Sequence, residues 1–101
     1  AKEADITLRE GIYCGVMGPT YETPAEIYKI KKMGGHLVGM STVMESLAAH
    51  HAGLKVLGIS CVTNLAAGLE GKALDHKDVK DVALKASSRL EKLLRSLTEA
   101  M

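Results

Sequence analysis

The sequence predicts an α/β fold in which a partial parallel or mixed sheet is flanked by helices. Two observations carry that expectation. Short apolar runs occur at 11–17 (GIYCGVM), 37–40 (LVGM) and 55–62 (KVLGISCV), each rich in aliphatic residues and bounded by turn formers, as buried strands are. Between and after them lie segments with helix start and stop signals, giving the order strand, helix, strand, helix, strand, loop, helix. That alternation calls for parallel strands joined by right-handed crossovers.

The first strand candidate, 11–17, runs into GPTYETP. The helix signal that follows, TPAEIYKIKKMGG, is complete: Thr23 can cap, Pro24 suits the first helical position, Glu26 completes a capping box and Gly34 ends the helix. After the second strand, STVMESLAAHHAG repeats the same grammar, with Thr42 and Glu45 three apart and a stop at Gly53. The third strand candidate leads into NLAAGLEGKALD (64–75), a loop able to move. A long amphipathic helix is expected after Asp75, with Val79, Val82, Ala83, Ala86, Leu90, Leu93, Leu94 and Leu97 on one face and Lys77, Lys80, Asp81, Lys85, Lys92 and Arg95 on the other.

Composition bounds the size of the core. The chain has 101 residues and three aromatics, all Tyr, so aliphatic side chains must build any interior. Buried parallel strands need cover on both faces, and three helices with little aromatic mass supply it poorly, so more sheet is expected elsewhere. Thirteen basic residues against twelve acidic ones set up no broad field for nucleic acid or an anionic membrane. No apolar run approaches the roughly 20 residues that span a bilayer, and the first residues, AKEADITLREG, lack a signal-type apolar stretch, so a cytoplasmic protein is expected. Cys14 and Cys61 lie in strand-like runs without metal or redox spacing, and are expected to be reduced and buried.

In open parallel sheets, ligands bind beyond the carboxyl ends of the strands. All three strand exits here carry polar residues. Glu22, just before the Thr23 cap, is either an acceptor for N–H groups of a flat ligand or a solvated glutamate near a positive helix end. Ser41 precedes the Thr42 cap, where it either helps to bind an anion or satisfies the turn. Asn64 offers a donor and an acceptor together, as a purine edge requires, or serves as a turn asparagine. Tyr21 and Met40 are candidate apolar walls, or core. His50 and His51 point about 100° apart on a helix and cannot make a one-face metal pair. His36 sits at a strand entrance, away from the crevice. His76, at the start of the last helix, either swings over the crevice or lies exposed. No nucleophile beside a base and no glycine-rich phosphate motif is present, so covalent catalysis is not supported.

Taken together, GPTYETPAE, VGMST with a glutamate three positions on, and HAGLKVLGISCVTN resemble the trimeric purine nucleoside phosphorylases in order, spacing and wording, over residues 10 to about 97. The resemblance implies the carboxy-terminal portion (1–101) of a single phosphorylase domain, part of a phosphorylase/hydrolase-like three-layer fold. It also implies roles for particular residues. Glu22 would bind purine N1–H, and Asn64 would bond N7 and the 6-oxo group. Tyr21 would pack on the base, with Val38, Gly39 and Thr63 around it. Met40 would lie against the ribose, Ser41 would contact phosphate and His76 would reach the 5′-hydroxyl. Leu65 departs from the lysine that some mammalian members carry beside the asparagine.

The implied reaction is reversible phosphorolysis of inosine and guanosine to free base and ribose 1-phosphate, with inorganic phosphate as co-substrate and no metal or organic cofactor. Methylthioadenosine phosphorylases share the fold but favour an aspartate at the position of Asn64. A non-catalytic purine-binding or structural piece is the other alternative. The family's phosphate site also draws on a serine loop, an arginine and a histidine from earlier sequence. An amino-terminal portion of the same enzyme is therefore expected as partner, along with a homotrimer, and the 101 residues alone are expected to be inactive.

Overall fold

Two short strands and three helices make up the computed structural model, which describes residues 1–2, 4–69 and 76–101, the side chains of His76 and Asp78 excepted. Strand β1 (Tyr13–Gly15) pairs in parallel with β2 (Leu37–Gly39), setting Tyr13 opposite Leu37, Cys14 opposite Val38 and Gly15 opposite Gly39. The ladder is prolonged at both ends: the carbonyl of Ile12 accepts from the N–H groups of His36 and Leu37, and Val16 N–H donates to Gly39. Beside the entrance, Ile12 N–H donates to His36 Nδ1 at 3.0 Å, so this histidine serves the backbone of β1.

Helix α1 (Pro24–Lys32) joins the strands and forms for the local reasons read from its sequence. Thr23 adopts an extended backbone and its hydroxyl accepts from Glu26 N–H. The Glu26 carboxylate accepts in return from Thr23 N–H at 2.7 Å and Thr23 Oγ1 at 2.9 Å. These bonds hold the Glu26 carboxyl below the ordinary glutamate range, the backbone N–H contributing most. At the other end Gly34 (φ +89°) lets the chain turn back, with Gly35 N–H donating to Ile30 and Gly34 N–H to Lys31 in a Schellman motif. On the exposed side Lys32 Nζ sits 5.3 Å from the centroid of the Tyr28 ring, one turn earlier.

Helix α2 (Val43–His51) starts against β1, because Val43 occupies the space beside Gly15 that a Cβ would need. Gly53 (φ +77°) ends it in a second Schellman motif. The long amphipathic segment forms α3 (His76–Glu99). Its predicted face is only partly covered: Leu93 is buried and Val79, Val82 and Ala86 are half-buried, whereas Ala83, Leu90, Leu94 and Leu97 are exposed, as is Leu84 on the other side. Arg95 and Glu91 form an exposed i,i+4 ion pair at 2.9 Å.

Three expectations are corrected. Residues 55–62 do not form a third strand. Among the described residues no backbone hydrogen bond joins them to a neighbour, and Val56, Leu57 and Val62 are exposed, since a strand exists only against a partner. For the same reason Cys61 is exposed, while Cys14 in β1 is half-buried; both are free thiols. Finally, Thr42 makes no capping bond to α2, and the Thr42/Glu45 box is absent. The predicted loop is described as far as Leu69, with turns through Ala67–Leu69; its remainder, 70–75, lies outside the described residues. No helix among the described residues is long and apolar enough to cross a membrane.

Candidate functional site

The exits of β1 and β2 place the polar residues at one end of the sheet, as the parallel topology dictates. Beyond β2 the chain passes through Met40, Ser41 and Thr42 before α2. Thr42 has φ +75° and ψ −44°, and Val43 N–H donates to the Ser41 carbonyl at 2.8 Å. This is a γ-turn of the rare, strained kind, centred on a β-branched residue. Its consequence explains the missing cap: the Thr42 hydroxyl turns away from the helix and meets Ser41 Oγ at 3.1 Å. Strain of this sort, of order 1–3 kcal/mol, persists where surrounding structure imposes it, and it concentrates at functional sites.

Ser41 has a second neighbour that sequence reasoning did not single out. Tyr13 in β1 extends its ring over Gly39, so that a Cβ at Gly39 would collide with the phenol. The Tyr13 hydroxyl then lies 3.4 Å from both the backbone N–H and the Oγ of Ser41. The signal that would have found Tyr13 is the register, since Gly39 faces its neighbour Gly15 across the ladder and leaves room for the side chain two residues earlier.

Val38, Ser41, Thr63 and Asn64 line a common groove of about 750 Å³ together with Tyr13. His36, expected to lie away from the crevice, also lines this groove; of the charged side chains on its walls, Lys31 is basic and none is acidic, a balance that favours an anion. Asn64 is half-buried there, and its Nδ2 donates to Thr63 Oγ1 at 3.0 Å. Thr63 therefore fixes the amide's orientation, leaving the second Nδ2 hydrogen for a ligand.

Tyr21 and Glu22 line a separate groove of about 430 Å³, with Glu26 and Lys29 from α1 and Gly18 from the loop. Met40 lines neither groove; its thioether lies over Gly18, where φ +63° and lack of a Cβ allow the approach. The segment after Asn64 comes to the same place, since Gly68 (φ +82°) packs on Pro24 of α1. Glu22 and Asn64 thus belong to converging segments but open into different grooves. The unpaired 55–62 segment accounts for this, because Asn64 does not hang from a strand fixed beside β2. His76 opens α3, and the position of its side chain lies outside what is described.

Comparison with known proteins places this geometry. The phosphorylase superfamily matches residues 1–99. Purine nucleoside phosphorylase 1 of Bacillus subtilis is 45% identical over 97 residues, covering 96% of this chain and 36% of the relative. Purine nucleoside phosphorylase of Mycobacterium tuberculosis is 50% identical over 94 residues, covering 93% and 35%. A crystal structure of a schistosome purine nucleoside phosphorylase in complex with hypoxanthine superposes with a TM-score of 0.71 at 36% identity, over 83% of this chain and 32% of that one. The chain spans about a third of the length of these relatives. With its match running almost end to end, the chain belongs to the phosphorylase superfamily.

Proposed function

We propose that this chain supplies the base-reading side of a purine nucleoside phosphorylase active site, acting on 6-oxopurine ribonucleosides such as inosine and guanosine. The observation that carries the proposal is the half-buried Asn64 amide, oriented by Thr63 in a groove shared with Ser41 and free of acidic side chains. The Nδ2 hydrogen that Thr63 leaves suits the acceptors O6 and N7 of one purine edge, and the amide oxygen can accept from N7–H once the leaving base is protonated. The relatives are named purine nucleoside phosphorylases, and the schistosome protein binds hypoxanthine, a 6-oxopurine, which supports the substrate class.

In this reaction a phosphate oxygen bonds to C1′ as the C1′–N9 bond breaks, and the bonding pair leaves with the purine. The proton shed by phosphate goes to the leaving base. Negative charge spreads to N7 and O6; the one Nδ2 hydrogen that Thr63 leaves donates to O6, and Glu22 accepts from N1–H to hold the base in plane. Glu22 and Asn64 must meet on one base, so the two grooves join in the working enzyme. Val38, Gly39, Thr63 and Tyr21 surround the base, Met40 lies against the ribose, and His76 reaches the 5′-hydroxyl. Ser41 binds inorganic phosphate, the co-substrate; the remaining phosphate ligands come from sequence outside these 101 residues. No metal or organic cofactor is required. Such an enzyme is expected as a homotrimer in the cytoplasm, which light scattering and cell fractionation check.

The test is purine release from inosine and adenosine by the full-length protein in phosphate. Inosine turns over faster, and Asn64→Ala lowers kcat by roughly 10²–10³, the loss typical of one transition-state donor. Equal turnover of adenosine, or an unaffected Asn64→Ala variant, would contradict the assignment.

A further inference from the structure

We infer that Tyr13 is a positioning residue for phosphate, acting through Ser41; this rests on the proposal that Ser41 contacts phosphate. A serine hydroxyl has one hydrogen to donate and two lone pairs that accept. Phosphate at neutral pH is mainly an acceptor, so Ser41 is useful to it only when its hydrogen points outward. Left alone, that hydrogen rotates freely among neighbouring oxygens.

The structure restricts it. Two hydroxyls, Tyr13 Oη at 3.4 Å and Thr42 Oγ1 at 3.1 Å, flank Ser41 Oγ. The Tyr13 oxygen accepts from Ser41 N–H at 3.4 Å, which commits a lone pair of the phenol and leaves its own hydrogen available to Ser41 Oγ. When Tyr13 and Thr42 both donate, both Ser41 lone pairs are filled and its hydrogen faces the groove. Gly39 is what allows the arrangement, because the phenol crosses the strand where any side chain at that position would stand. The strained γ-turn at Thr42 completes it by bringing the second hydroxyl to Ser41 instead of to the helix. Three hydroxyls, one from β1 and two from the exit of β2, thus set the direction of one donor.

The experiment is Tyr13→Phe in the full-length protein, with Tyr28→Phe on the exposed face of α1 as control. KM for phosphate and for inosine are measured separately, with phosphate affinity by calorimetry and the urea midpoint as a check on folding. Losing the phenol's hydrogen bonds raises KM and Kd for phosphate about three- to tenfold and lowers the midpoint slightly, while KM for inosine and the control stay unchanged. Parallel rises in both KM values or an unchanged phosphate KM would show that the phenol does not position Ser41. Wild-type protein that binds no phosphate would overturn the role of Ser41, and with it this inference; binding without turnover of inosine would overturn the phosphorylase proposal alone.

Discussion

At the residue scale, Thr42 and Ser41 show how a local rule gives way to a site. A threonine three residues before a glutamate reads as a helix cap, yet Thr42 sits at φ +75° with its hydroxyl on Ser41. Glycine adopts this backbone without steric cost, so Thr42→Gly relieves strain while removing the hydroxyl. After the entropic penalty of glycine, a net gain of about 1 kcal/mol in stability is expected, alongside weaker phosphate binding. Urea unfolding and phosphate titration of the same variant measure both. A variant losing stability would mean that the turn is imposed by something other than the Ser41 contact. The family was legible because the wording at the two strand exits and after 55–62 is distinctive. The geometry of the candidate residues was not: the pairing of Tyr13 with Ser41 depends on register, and the separation of Glu22 from Asn64 depends on a strand partner.

Elements divide in the same way between local and distant causes. Helix α1 was readable from its own residues, since Thr23, Pro24, Glu26 and Gly34 each act within one turn of where they stand. The 55–62 segment was not, because its apolar run states a need for burial without naming what supplies it. Local causes also make α1 testable by pH. The Glu26 carboxyl is held below its ordinary value by Thr23, so the folded state favours the ionised form. Its contribution is fully present above the ordinary glutamate range and is lost as pH falls through the depressed value. Thr23→Ala removes the hydroxyl, the smaller of the two causes, keeps the backbone N–H, and costs about 1 kcal/mol near neutrality, the usual worth of a threonine cap. The difference in urea midpoint between wild type and Thr23→Ala should therefore narrow below about pH 4.3. A gap that is constant from pH 7 to 3 would place the cap's value in the Thr23 hydroxyl alone.

For the whole molecule the decisive quantity is how little apolar surface these residues bury among themselves. Ala4, Ile27 and Leu93 are the buried apolar side chains among those described, whereas Met17 is 99% exposed and Leu57 67% exposed. Relatives of about three times the length carry additional sequence, and β1, β2 and 55–62 offer both faces and an unpaired backbone for it to cover. The isolated 101 residues are therefore expected to bind an apolar fluorescent dye such as anilinonaphthalene sulfonate and to release no hypoxanthine from inosine. Adding the upstream sequence of a relative should quench the dye and bring Asn64 and Glu22 onto one base, with activity appearing as the fluorescence falls. Hypoxanthine release by the 101 residues alone would show that the two grooves join without further chain, and that Ser41 with its two hydroxyl neighbours binds phosphate unaided.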